Sequence, residues 1–185
     1  MNNGNGVHSI PSAPIERQRQ LRWKEGAPEM VEPVRVTTMA MLNQCWPYVC
    51  PRLEWIKRKD KSAGHWSPEH IRFYIQEGLL NPAIRYPVEL YVALDKEGVI
   101  YGFLAGAVKI DPYIQIPLTY HIWALWLNRA MIERMMPWFD GMVRERGLTG
   151  ATFESGRIGW MGAIRKLMES GFYCHQYVYR KEIRP

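Results

Sequence analysis

The stretch from Leu118 to Phe172 constrains this chain more than any other part. An apolar, aromatic run (Leu118–Leu127) passes into a helical pattern over Asn128–Arg146, and Gly147 ends it. A short strand (Ala151–Glu154) and a second helix (Gly159–Glu169) follow, and Ser170-Gly171-Phe172 closes that helix. Strand, helix, strand, helix, with a terminal strand still to come, reads as an α/β (α+β) architecture.

The rest of the chain supplies more strands and two more helices. Met30–Thr37 has the β-branched content of a short strand, and Pro33 suits an edge or a strand start. Thr38 is placed to cap a helix whose apolar positions are Met39, Leu42, Cys45, Trp46 and Val49; Pro47 and Pro51 are expected to break or kink it. Trp55-Ile-Lys-Arg-Lys-Asp-Lys continues it into a basic stretch. Ser67-Pro68-Glu69 is a helix start: a hydroxyl at the cap, proline at the first position, an acid in the first turn. Ile71, Tyr74, Ile75 and Leu79 form its apolar face, and Asn81-Pro82 ends it. Val88–Leu94 and Val99–Ile110, joined through Asp95-Lys-Glu-Gly98, make the clearest hairpin signal, and Gly102 and Gly106 predict bulges or close backbone approach. Tyr173–Ile183 alternates as a last strand.

Length and composition fit one globular domain: 185 residues, 47% hydrophobic, eight tryptophans. Residues 1–30 are polar and Gly/Pro-rich, and read as a flexible N-terminal arm before a domain over 31–185. The net charge of +6 favours an acidic partner only weakly, a basic solvated surface being the commoner meaning. Arg17, Arg19, Arg22 and Lys24 surround Trp23 in the arm, a pattern that can contact nucleic acid, but Glu16, Glu25 and Glu29 nearly cancel the charge. Three cysteines (Cys45, Cys50, Cys174) make no disulfide framework, and Cys45-x4-Cys50 is not a zinc spacing, so no metal is expected. No signal-type apolar run and no membrane-length segment is present, which points to a cytoplasmic setting.

The element order, β, α, α, β-hairpin, β, α, β, α, β, resembles the GCN5-related N-acetyltransferase (GNAT) fold over about Met30 to Ile183. Arg144-Glu-Arg-Gly147-Leu, then Ala163-Ile164 and Gly171-Phe172, look like that family's "RERGL … A-I … G-F" end. The resemblance implies a mixed, mostly antiparallel central sheet flanked by helices. It also implies acetyl-CoA as cofactor, its pyrophosphate held by a Q/R-x-x-G-x-G/A loop at the start of the helix after the fourth strand. That loop falls on Leu127, Asn128, Arg129, Ala130, Met131 and Ile132, with Ala130 and Ile132 at the glycine positions. Ile132 would then project where phosphate must approach the backbone. No glycine occurs from Pro112 to Asp140, and Pro137 is expected to interrupt the helix. The family's acid Tyr falls on Leu167 and its frequent Asn on Trp160. These departures predict a degenerate GNAT domain that has lost catalysis.

The residues that could still do chemistry are few. His121 on the fourth strand or Glu154 on the fifth could deprotonate an amine, with Glu154 orienting His121, and Tyr173 could replace the missing acid. The plainer reading is a polar pair in a Trp-rich sheet and a packing tyrosine. Arg129 and Arg134 could hold a phosphate without glycines, or be exposed helix charges. Trp123, Trp126, Met131, Met135, Met136 and Trp138 gather near the loop, and are expected to fill the cleft or to dock a protein partner, the arm helping. The layout also resembles internal or head-associated virion proteins of short-tailed bacteriophages, which would place the chain in host cytoplasm or virion. The alternative is an active acetyl-CoA-dependent N-acyltransferase with a divergent phosphate loop.

Overall fold

A computed structural model describes residues 31–59, 66–110, 117–127 and 129–153, with the backbone alone at 117, 118, 129, 130 and 153. The expected arm (1–30), the helix Gly159–Glu169 and the strand Tyr173–Ile183 lie outside the described residues, as do Asn128, Glu154, Trp160, Leu167 and Tyr173. The described elements are β1 (Glu32–Arg35), α1 (Met39–Lys59), α2 (Pro68–Leu80), β2 (Glu89–Leu94), β3 (Ile100–Ile110), β4 (Pro117–Trp126), α3 (Arg129–Glu145) and β5 (Gly150–Phe153). The sheet order is β1-β2-β3-β4-β5. The first three pairings are antiparallel and β4 with β5 is parallel, because α3 carries the chain back to the starting end.

Local signals place the helix ends. The Thr38 hydroxyl accepts from the Met41 amide at 3.1 Å, and the Ser67 hydroxyl from the His70 amide at 3.3 Å. α3 ends in a Schellman turn: Gly147 N–H donates to the Arg144 carbonyl at 2.9 Å and Leu148 N–H to the Val143 carbonyl at 3.2 Å. Gly147 sits at φ 66°, which a side chain would make strained, and Leu148 packs in the same cluster as Val143.

Three prolines expected to break helices do not. α1 runs unbroken through Pro47 and Pro51, and α3 through Pro137. All three are exposed, as are Asn43, Pro47 and Glu133, the residues four positions before them. A proline on the solvent side of a helix leaves its unmatched carbonyl within reach of water, so the cost falls below that of a buried proline.

The sheet is covered on both faces. Leu42, Cys45, Trp46, Val49, Leu53 and Ile56 of α1, with Ile71 and Ile75 of α2, pack on Leu90, Val92, Leu94, Phe103 and Ala105. Each such large side chain stabilises the fold by roughly 1.5–3 kcal/mol on full burial. The alternate residues Tyr91, Leu104, Tyr120 and Ile122 face α3, meeting Phe139, Met142 and Val143. Strand periodicity thus sorts β2, β3 and β4 into two cores, one under α1/α2 and one under α3.

Candidate functional site

The β4–α3 junction is short. β4 ends at Trp126 and α3 begins at Arg129, so only Leu127 and Asn128 lie between. Leu127 is seated on β3: a Cβ built on Gly102 would lie 2.4 Å from Leu127 Cδ2 and 2.6 Å from the Trp126 carbonyl. The first turn of α3 points inward. Met131 is fully buried beside Ala93 and Met135, and Ile132 is 6% exposed. Ile132 therefore does not project toward an approaching phosphate, which corrects the expectation above. Its side chain is drawn under the helix by the apolar sheet, where it lines a small apolar cavity with Leu125, Leu127, Met135 and Phe139. That cavity is about 30 Å³, room for a water or two, and no pantetheine-sized group fits it.

β4 carries a bulge next to this junction. Ala105 pairs with Ala124 and Gly106 with Ile122, leaving Trp123 as the extra residue. Gly106 permits the tight crossing, since a Cβ there would lie 2.6 Å from the His121 carbonyl and 2.6 Å from the Tyr120 ring. The bulge keeps Trp123 and Ala124 on the α1/α2 side and returns Leu125 to the α3 side.

His121 lies on β4 directly opposite Thr152 of β5, and its Nδ1 is 2.9 Å from the Thr152 hydroxyl. Thr152, two residues before Glu154, is thus the β5 side chain found on the imidazole. The expected orienting role of Glu154 falls outside the described residues, as does Tyr173. Arg134 is exposed on α3, and for Arg129 and Ala130 the backbone alone places them in the first turn.

The tryptophans and methionines do not form one surface. Trp126 packs edge-to-face on Trp55 of α1 at 4.9 Å, Trp138 on Tyr91 under α3 at 5.1 Å, and Trp123 on Tyr74 of α2 at 5.5 Å. Alternation along β4 and the turn into α3 divide them between the two faces of the sheet.

A second polar centre was not singled out by sequence reasoning. Among the described residues Glu89 alone is charged and buried, at 7% exposure. Arg35 Nη2 lies 2.7 Å from its Oε1, and Arg146 donates to both oxygens, at 2.6 and 3.2 Å. Arg146 also donates to the Tyr91 hydroxyl at 2.6 Å and lies 5.6 Å from the Tyr120 ring centre. The Tyr91 and Tyr120 hydroxyls donate to Glu89 Oε2 at 3.3 and 3.5 Å. Burial first, and then the Glu89 charge, pushes Tyr91 up to about 12, and the same causes push Tyr120 up further. Both phenols therefore keep their protons at neutral pH and serve as donors. The one hint in the sequence is an acid at the head of an apolar strand.

This cluster holds together the ends of β1 and β2, the start of β4 and the turn after α3. It lies a whole helix away from the β4–α3 junction, roughly 25 Å for 17 residues. Its geometry fits a structural tie, with every oxygen of Glu89 engaged, and not a proton-transfer centre. Among the described residues no group of three or more His, Cys, Asp or Glu could hold a metal, and no helix is long and apolar enough to cross a membrane.

A five-stranded sheet with a bulged β4, a parallel β5 and α3 between them is the frame of the GNAT fold, and solved acetyltransferases share it. The ribosomal-protein-alanine N-acetyltransferase from Brucella melitensis biovar Abortus 2308 superposes with a TM-score of 0.53 at 15% identity, covering 84% of this chain and 99% of that one. The aminoglycoside N-acetyltransferase AAC(6')-Iy, solved with a bisubstrate CoA analogue, gives 0.56 at 13% identity, covering 84% and 99%. The enzyme AAC(6')-Ih from Acinetobacter baumannii gives 0.51 at 6% identity, covering 84% and 100%. The sequence matches no family model and no curated protein. The chain has the GNAT fold; identities this low say nothing further about activity.

Proposed function

We propose that this GNAT-fold chain does not use acetyl-CoA and works through contact with another protein. The observation that carries this is the β4–α3 junction. Two residues separate strand from helix, and no glycine occurs between Gly106 and Gly141. A pyrophosphate cradle needs several successive backbone N–H groups converging on one point, approached without intervening side chains. Leu127 is instead packed on β3, and Met131 and Ile132 are packed into the core. What remains is the amide end of one helix, which is a weak anion site by itself.

A second reading has one observation in its favour. His121 lies between β4 and β5 beside the bulge, held at Nδ1 by Thr152, and could act as a base in a divergent N-acyltransferase that still takes acetyl-CoA. Calorimetry and thermal unfolding with acetyl-CoA decide between the two. Contact function predicts no binding heat and no shift at millimolar cofactor. Binding in the micromolar range overturns it: cofactor at 100 times Kd stabilises by about 2.7 kcal/mol, a rise of about 5–10 °C for a chain this size. The setting we infer for a contact role is a short-tailed phage particle, on the arm-plus-domain layout alone. Mass spectrometry of purified particles tests it, and absence of the chain from them refutes it.

A further inference from the structure

We draw no further inference here: the strongest candidate, the exposed aromatic patch that Phe73 and Tyr74 of α2 make with Trp123 of β4, carries none, because nothing in the structure shows what covers it.

Discussion

Replacing Glu89 with glutamine removes one charge from the most buried polar centre described. Gln keeps the shape but sets an amide against two guanidinium groups. The Glu89 side chain is 6% exposed, against 26% for Arg146 and 48% for Arg35. The Arg35 contact, half in water, contributes under about 1 kcal/mol. The two-pronged Arg146 contact, at 2.6 and 3.2 Å, is a charge-assisted pair of hydrogen bonds worth about 1.5–3 kcal/mol. Removing one partner also leaves the other partly buried and unpaired. Glu89→Gln is expected to cost about 3 kcal/mol, or about 6–12 °C in Tm for a chain of this size. Urea unfolding measures it directly. A companion cycle sharpens the test: Glu89→Leu with Arg146→Met should cost less than the two single changes summed, by about 1–3 kcal/mol, because each single change leaves a charge behind. A glutamine penalty under about 1 kcal/mol, or additivity within about 0.5 kcal/mol, refutes the account of Glu89 as a tie across the sheet.

Other consequences follow from single positions. Gly147→Ala meets no atom within 4 Å, so its cost is the strain of φ 66° alone, about 1 kcal/mol in urea; a neutral result would mean the Schellman turn does not persist. Gly106→Ala drives a methyl against the His121 carbonyl and the Tyr120 ring, and should cost about 1–3 kcal/mol in the same assay; an unchanged midpoint would show that the bulge yields freely. Alkaline stability follows from proton binding. Burial raises Cys45 from 9.0 to about 12, and burial with Glu89 raises Tyr91 from 10.0 to about 12. The folded state therefore holds these protons more tightly than the unfolded state. Their contribution is complete below about pH 9 and is lost as pH rises from there to about 12. The urea midpoint should fall over that window, and Tyr91 and Tyr120 should give no tyrosinate absorbance until unfolding; full tyrosinate signal from folded protein near pH 10 would contradict the burial argument.

Much of the architecture is legible along the chain because the interactions that set it are local. Ser67 and Thr38 cap within three residues, Asp95 closes the hairpin within four, and Gly147 ends α3 through bonds to Arg144 and Val143. Alternation in β2, β3 and β4 and the 3–4 spacing in the helices identify two buried faces without any knowledge of what covers them. The absence of glycine at the β4–α3 junction is likewise plain in the sequence.

Tertiary structure decided the rest. Whether Pro47, Pro51 and Pro137 break a helix depends on whether the carbonyls they strand face water, which is a matter of packing. Ile132 turned inward because the sheet beneath α3 is apolar, although its position in a motif suggested the opposite. The Glu89 tie joins residues 57 apart, and the His121–Thr152 pair joins residues 31 apart. A one-residue bulge at Trp123 shifts every later β4 side chain to the other face, and so puts Trp126 on the α1/α2 side with Trp123, while Trp138 on α3 packs against the opposite face. Spacing along the chain encodes which groups are near neighbours in one element. Which elements meet, and in what register, is set by the summed burial of all of them, and the two polar sites among the described residues exist only at that level.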